Sequence, residues 1–236
     1  MNKAFSLSQR VLHHIMCKTY EITNYGLFEG TMGVCVSLYI ISKRMNNKGL
    51  KTYADRLLSF CLGNLPMELS NGFSEGLLGI AWSVDFLLYY GFISGNSKEI
   101  CEEIDYRIWQ ISPLRLDGSL KYGLKGVLHY VLAHACHNPK DSDAFDANFL
   151  MEIFCALQKL QESEYDTELN ELLRNFINWY KGLSWKYEFH LEHFVELDSS
   201  KINVGNFQMF PIGLTSGLCG YLIKDYHEGY GFIGSI

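Results

Sequence analysis

The segment GLFEGTMG at residues 26–33 recurs in related form three more times along this chain of 236 residues. We call it motif 1; motifs 2 to 4 are GFSEGLLG at 72–79, SLKYGLKG at 119–126 and GLTSGLCG at 213–220. Their central glycines are residues 30, 76, 123 and 217. The last interval is twice the others, which predicts that one copy has lost its glycines, with its centre near Asn170. A fixed period of this length is the sequence signature of a helical repeat.

Apolar residues at helical spacing follow the motifs, for example Val34, Leu38 and Ile41 after motif 1. Further amphipathic segments are predicted to be helices at residues 6–20, 53–65, 100–111, 149–160 and 167–181. The chain is therefore predicted to be all-α, with about nine helices in about five hairpins. Glycines three positions apart share one helix face, where the missing side chain lets another backbone approach.

Composition excludes several classes of protein. Hydrophobic residues make up 48% and charged residues 19% of the chain, which excludes disorder. The net charge of -6 argues against nucleic-acid binding, which needs a basic face. No apolar run approaches the ~20 residues of a membrane helix, and polar residues interrupt the first segment, so we expect neither a membrane span nor a signal peptide. Seven cysteines without a CxxC pair predict mostly buried thiols in a reduced, cytoplasmic compartment.

The stretch at residues 183–210 breaks the helical pattern. Residues 187–192 alternate apolar and polar side chains, which is typical of a strand and is consistent with a short hairpin or a lid. His190 and His193 lie three residues apart among Glu188, Glu192 and Glu196. On a helix the two imidazoles could share a metal ion, whereas on a strand they would face opposite sides.

The four motifs, in register over residues 22–226, resemble those of the lanthionine synthetase C-like family. The resemblance implies an α/α toroid, in which an inner helix follows each motif and outer helices surround the inner ones. Complete members carry more hairpins than the about five that fit here, so the resemblance implies an incomplete toroid. It also implies a single domain over residues 1–236, with an irregular insertion near 183–210.

The resemblance implies a chemistry as well. Enzymes of that family add a cysteine thiolate to a dehydrated Ser or Thr of a ribosomal peptide, at a zinc ion held by Cys and His of the glycine motifs. In this chain Lys121 and Tyr122 precede Gly123, and Thr215 and Ser216 occupy the Cys-His position. Zinc needs several N or S ligands, so we expect no zinc cofactor in the motifs. Cys136, His137 and Cys219 are secondary candidates for a metal site, although buried helical packing explains these residues equally well.

We therefore expect a zinc-free accessory or binding protein in ribosomal peptide maturation, rather than an enzyme. Its partner is expected to be a peptide or a modification enzyme. The candidate contact residues are Glu29, Glu75, Lys121, Tyr122, Thr215 and Ser216. An open toroid exposes apolar inner-helix faces, which a second copy of the chain or another protein would cover.

Two alternative functions remain open. An active peptide cyclase would have an altered metal site that uses Cys219 and a remote His or Cys. A carbohydrate-active α/α-barrel enzyme would use Glu29 and Glu75, which share one register, as its acid and base. A structural interpretation of both glutamates is that each lies in a first helical turn and complements the helix dipole.

Overall fold

The computed structural model describes residues 5–137, 145–160 and 166–228, and over these ranges the chain is all-α, as predicted. The nine α-helices of the described residues are α1 (Leu7–Lys18), α2 (Thr31–Arg44), α3 (Lys48–Gly63), α4 (Leu77–Tyr89), α5 (Ser97–Ile108), α6 (Leu124–His137), α7 (Ala147–Leu157), α8 (Thr167–Tyr180) and α9 (Leu218–Glu228). None of these helices combines the length and hydropathy that crossing a membrane requires.

Polar caps set the beginnings of several helices earlier than the apolar pattern predicts. The side chain of Asn47 accepts a hydrogen bond from the amide of Leu50, so α3 begins before the predicted residue 53. Asp146 caps α7 in the same way, through the amide of Phe149. These side chains satisfy backbone donors of the first turn, which have no partner within the helix. The cap residues themselves are polar, so apolar periodicity alone places the beginnings of these helices too late.

The helices that follow motifs 1 to 3 are the most buried. In α2, α4 and α6 nearly every residue is buried, whereas α3, α5, α7 and α8 bury one face. A helix that is apolar on all sides belongs in a core, and an amphipathic helix covers it. The predicted alternation of core and covering helices is present in the hairpins α2–α3, α4–α5 and α6–α7.

The chain forms two compact units. Unit 1 comprises the residues up to Met67 together with those from His190 onward, and unit 2 comprises Glu68–Phe189. Within unit 1, α2 packs against α3 and α9, and α1 packs against α9. Within unit 2, α4 packs against α5 and α6, and α6 packs against α8. The single domain and the toroid remain predictions.

The segment between α8 and α9 is irregular, as predicted, but it contains no strand. Its three short 3-10 helices are Leu191–Phe194, Ser199–Lys201 and Phe207–Met209. Tyr187 and Phe189 belong to no helix or strand and are buried, while the intervening Glu188 is exposed. The alternation therefore reflects alternating burial, and of the two possibilities left open, the described residues of this segment show no strand that could form a hairpin.

A capped helix begins close to the predicted centre of the glycine-free copy. Asp166 is the N-cap of α8, and its side chain accepts a hydrogen bond from the amide of Leu169. In motifs 1 and 2 the central glycine occupies this N-cap position. The predicted centre, Asn170, lies inside α8, and the glycine-free copy of the repeat stays a prediction.

Candidate functional site

The glycine motifs are turns in which the backbone folds back onto the start of the following helix. A Cβ atom on Gly33 would overlap the carbonyl oxygen of Leu27, and one on Gly220 would overlap that of Leu214. The close backbone approach predicted for these glycines is therefore present. The backbone that approaches is the motif's own preceding turn.

In unit 1, the turn of motif 4 is paired with that of motif 1. The amides of Leu214 and Thr215 both donate to the carbonyl oxygen of Phe28, at 2.6 and 3.2 Å. The carboxylate of Glu29 accepts two further hydrogen bonds from Ser216, one from the backbone amide and one from the hydroxyl, each 2.8 Å long. Three predicted contact residues, Glu29, Thr215 and Ser216, thus come together and hold each other.

In unit 2, motifs 2 and 3 pair through the same backbone positions. The amides of Phe73 and Ser74 donate to the carbonyl oxygen of Lys121, at 2.8 and 3.4 Å. The second and third residues of one motif therefore bind the third carbonyl of the other in both units. The ring of Tyr122 lies against Gly72, the first residue of motif 2.

This pairing explains the glycine at the first position of the two donating motifs. Gly213 and Gly72 lie in the motifs that donate, and a Cβ atom at either would overlap the fourth residue of the accepting motif, Glu29 or Tyr122. Motifs 1 and 3 accept, and their first residues are Gly26 and Ser119. The pairing therefore requires glycine at the first position of a donating motif, whereas an accepting motif carries either glycine or serine there.

The remaining contact candidates form an exposed group on the paired turns of unit 2. Glu75, Lys121 and Tyr122 are all exposed, and Tyr122 has 53% of its surface accessible. We call these three residues the turn surface. Glu29 lies in unit 1 and Glu75 in unit 2, and within their units only Glu29 is engaged by a neighbouring motif. The predicted six residues therefore fall into one group in each unit. The unit 1 group is bonded internally, although Ser216 is itself exposed, and the unit 2 group is exposed.

The two glutamates do not lie in the first helical turns, where the helix-dipole interpretation expects them. The N-caps of α2 and α4 are Gly30 and Gly76, and neither first turn contains an acidic residue. Glu29 and Glu75 precede these caps and lie in the motif turns. Their position makes them turn side chains that are able to reach across to another motif.

The cysteine and histidine candidates are placed in packed surroundings. Cys219 is fully buried in the first turn of α9, and burial raises the pKa of its thiol to about 12. Burial likewise raises the pKa of the Cys136 thiol to about 12. His137 ends α6, and its Nε2 lies 3.0 Å from the carbonyl oxygen of Asp85 on α4. Cys219 belongs to unit 1, whereas Cys136 and His137 belong to unit 2.

A buried polar network in unit 2 was not predicted. His134 on α6 lies 3.2 Å from Asp85 on α4 and 3.6 Å from Asp105 on α5. Ser97 donates a hydrogen bond to Asp85, and the Tyr130 hydroxyl donates to Asp105 at 2.8 Å. The available sequence signal is an acid and a histidine within runs that are otherwise apolar. Such groups need partners when buried.

Burial and charge act in opposition within this network. Burial raises the pKa of Asp105 to about 6, although His134 and Tyr130 act to lower it. Burial alone would lower the pKa of His134, but the charges of Asp85 and Asp105 outweigh it and the pKa is raised. His134 and Asp85 are fully buried. The network therefore lies inside unit 2, where the raised pKa values of Asp105 and His134 favour their protonated forms.

A second network connects the surface of unit 2 with its interior. Trp82 donates to the Tyr187 hydroxyl at 2.7 Å, and that hydroxyl lies 2.8 Å from Nδ1 of His129. Nε2 of His129 lies 3.3 Å from Glu168, whose other oxygen lies 3.0 Å from Lys125. With the His129 proton assigned to Nε2, every donor meets an acceptor. Hydrogen bonding to His129 and to Lys125 lowers the pKa of Glu168 to about 2.

This second network fixes part of the irregular segment. Tyr187 precedes the 3-10 helices and is buried against residues of α4 and α6. Lys125 lies within motif 3, so the same motif carries the exposed Lys121 on its turn and a buried lysine on its helix. The network holds α6, α8 and the segment at Tyr187 together behind the turn surface.

Comparison of the chain with family models, with curated proteins and with solved structures found no match in any of the three. The candidate site is therefore defined by this chain's own geometry. It consists of the turn surface of unit 2, supported by paired backbone turns.

Proposed function

We propose that this chain is a lanthionine synthetase C-like protein that acts as an accessory or binding protein in ribosomal peptide maturation, without the zinc site of the family's enzymes. The turn surface then binds a peptide or a partner modification enzyme. The observation that carries this proposal is the exposure of Glu75, Lys121 and Tyr122 on turns whose backbones are fixed by hydrogen bonds.

The chemistry of the turn surface suits a peptide. It offers a carboxylate, an ammonium group and an aromatic ring, and tyrosine is enriched among residues that dominate binding energy. The carbonyl of Lys121 is held by two amides of motif 2, so the turn is ordered before a partner arrives. Preorganisation of this kind reduces the entropy lost on binding.

The buried thiol of Cys219 weighs against the alternative of an active cyclase. A zinc-bound or nucleophilic cysteine acts as the thiolate, which a lowered pKa favours. Burial instead raises the pKa of Cys219 to about 12 and keeps the thiol protonated.

The hydrogen bonds of Glu29 weigh against the glycosidase alternative. One oxygen of its carboxylate already accepts from the amide and from the hydroxyl of Ser216. A catalytic carboxylate must be able to bind a water molecule or the glycosidic oxygen. The contacts of Glu29 instead serve the pairing of motifs 1 and 4.

Binding of the peptide encoded beside this chain's gene tests the proposal. With a fluorescently labelled peptide, anisotropy is expected to show saturable binding to the full chain. Combined substitution of Glu75, Lys121 and Tyr122 by alanine should weaken that binding at least about 10-fold, because the central contacts of an interface carry most of its energy.

A matched control lies on α5 of the same unit. Lys98, Glu102 and Tyr106 are likewise one base, one acid and one tyrosine, all exposed and spaced four residues apart. Their combined substitution by alanine should leave the affinity unchanged within about 2-fold. Equal loss in both variants, or no binding by the unaltered chain, would contradict the proposal.

A further inference from the structure

The 3-10 helix Leu191–Phe194 separates polar from apolar side chains in rows. A 3-10 helix has three residues per turn, so residues three apart lie directly above one another. Leu191 and Phe194 form one row and are buried, at 0% and 4% exposure. His190, the N-cap residue, and His193 form another row, and their rings stack with centroids 4.7 Å apart. The two imidazoles therefore lie side by side on the surface of unit 1.

Glu192 brings a carboxylate to the same place. Its Oε1 lies 3.1 Å from Nδ1 of His190. One ligand atom from each of His190, Glu192 and His193 lies within 4.8 Å of the other two. Two ligands of tetrahedral zinc are separated by about 3.4 Å when each bond is ~2.1 Å long. Small side-chain rotations thus bring all three groups to bonding distance around one ion.

The second oxygen of Glu192 supplies an independent observation. Oε2 is buried and accepts no hydrogen bond from the described residues. A buried carboxylate oxygen without a partner is costly, because it has lost its water and gained nothing in return. A cation held between this carboxylate and the imidazoles would stabilise it.

The backbone around the cluster is anchored in unit 1. The amides of Glu196 and Leu197 donate to the carbonyl oxygen of Thr215, at 2.9 and 3.1 Å. The ring of Phe194 packs against Phe28 of motif 1, with centroids 5.5 Å apart. Motifs 1 and 4 thus fix the helix that carries the three side chains.

We propose that His190, Glu192 and His193 bind a divalent transition metal ion of the zinc type. Two imidazoles and one carboxylate are a known ligand set for zinc, and they leave the fourth position to water or to another ligand. The site lies outside the glycine motifs and uses no cysteine. It goes beyond the proposed peptide binding, since it belongs to the irregular segment of unit 1 and the turn surface belongs to unit 2.

Zinc titration of the full chain tests this site. After treatment with a chelator and dialysis, the protein should take up one Zn²⁺ per chain in competition with a chromophoric chelator, with a Kd below about 1 μM. His190→Ala, His193→Ala and Glu192→Gln should each weaken binding at least 10-fold. His13→Ala, which removes an exposed imidazole elsewhere in unit 1, should change it less than 2-fold. Circular dichroism checks that each variant is folded.

Cobalt substitution distinguishes this ligand set from one that contains cysteine. Co²⁺ bound by nitrogen and oxygen alone should show visible d–d bands without a thiolate-to-cobalt charge-transfer band. A charge-transfer band, zinc affinity unchanged in the three variants, or the absence of saturable zinc binding would overturn the proposal. Because none of these outcomes depends on the turn surface, they leave the peptide-binding proposal to its own test.

Discussion

The paired turns within unit 1 and those within unit 2 have the same pattern of backbone hydrogen bonds. They differ in the side chain at the fourth position of the accepting motif. In unit 1 that side chain is Glu29, which reaches across Gly213 and is held by Ser216. In unit 2 it is Tyr122, which lies against Gly72 and stays exposed. The glycines and carbonyls thus define the pairing, and the fourth residue of the accepting motif is either bonded to the paired motif, as Glu29 is, or exposed, as Tyr122 is.

Alanine at the eighth position of motif 1 or at the centre of motif 2 should give the largest loss of stability. In Gly33→Ala the new Cβ meets the carbonyl of Leu27, and in Gly76→Ala it meets that of Ser70. Overpacking against backbone usually costs more than the gain in helix propensity, so we expect each variant to lose about 2–4 kcal/mol in the free energy of unfolding. Urea unfolding followed by circular dichroism measures the loss.

Gly63→Ala provides the matched control. Gly63 is the last residue of α3, and a Cβ atom there would have no neighbour within 4 Å. This variant should be neutral or more stable by up to about 1 kcal/mol. If Gly33→Ala and Gly76→Ala behaved like the control, the turns would be loose and the comparison of the two pairs would have no structural basis.

The stability of unit 2 should depend on pH because of its buried polar network. We expect this effect to be smaller than that of the glycine substitutions. The folded pKa of Asp105 is raised to about 6 and that of His134 is also raised, so the folded state binds more protons than the unfolded state. For Asp105 this stabilisation is fully present below about pH 4 and is lost as the pH rises through 6. For His134 the loss begins above about pH 6.5. Between pH 5 and 8 unit 2 should therefore lose stability on the order of 1–3 kcal/mol.

The variant Asp105→Asn isolates this contribution. Its amide oxygen is still able to accept the hydrogen bond from Tyr130, but the side chain no longer titrates. Native-state hydrogen exchange of α4, α5 and α6 at several pH values should show a smaller slope of stability against pH than in the unaltered chain. The explanation would be contradicted if Asp105→Asn left the slope unchanged. It would also be contradicted if the stability of the unaltered chain rose with pH.

The sequence predicts the helices and the glycine turns well because both depend on local rules. The period of about 47 residues, the apolar runs of α2, α4 and α6, and the close approach at Gly33 all follow from residue size and spacing. Helix starts are less accurate where a cap such as Asn47 precedes a polar first turn. Even there the cap residue itself is a visible signal.

The functional groups are harder to predict because they depend on tertiary contacts. Asp85 and His134 meet only because α4 packs against α6, which no local pattern shows. His190 and His193 share a face because buried Leu191 and Phe194 hold a single 3-10 turn, whereas the sequence is equally compatible with a strand. The division of the six contact residues into a bonded and an exposed group likewise depends on which motif pairs with which.

The smallest expected effect is the difference in stability between alanine variants of Glu29 and Glu75, the two glutamates at the fourth motif position. Glu29→Ala removes the acceptor of both hydrogen bonds from Ser216 and should cost about 1–2 kcal/mol in the free energy of unfolding. Glu75 occupies the same motif position but lies exposed in a donating motif, so Glu75→Ala should stay within about 0.5 kcal/mol of the unaltered chain. Urea unfolding of the two variants side by side makes the measurement.

The restoring variant Glu29→Gln strengthens this test. Glutamine keeps one oxygen that is able to accept from Ser216, so it should recover part of the stability lost in the alanine variant. Equal effects of Glu29→Ala and Glu75→Ala would mean that the contact between motifs 1 and 4 is made by backbone alone. The fourth position would then be unconstrained in both units, and the exposed Tyr122 would differ from Glu29 in chemistry rather than in structural role.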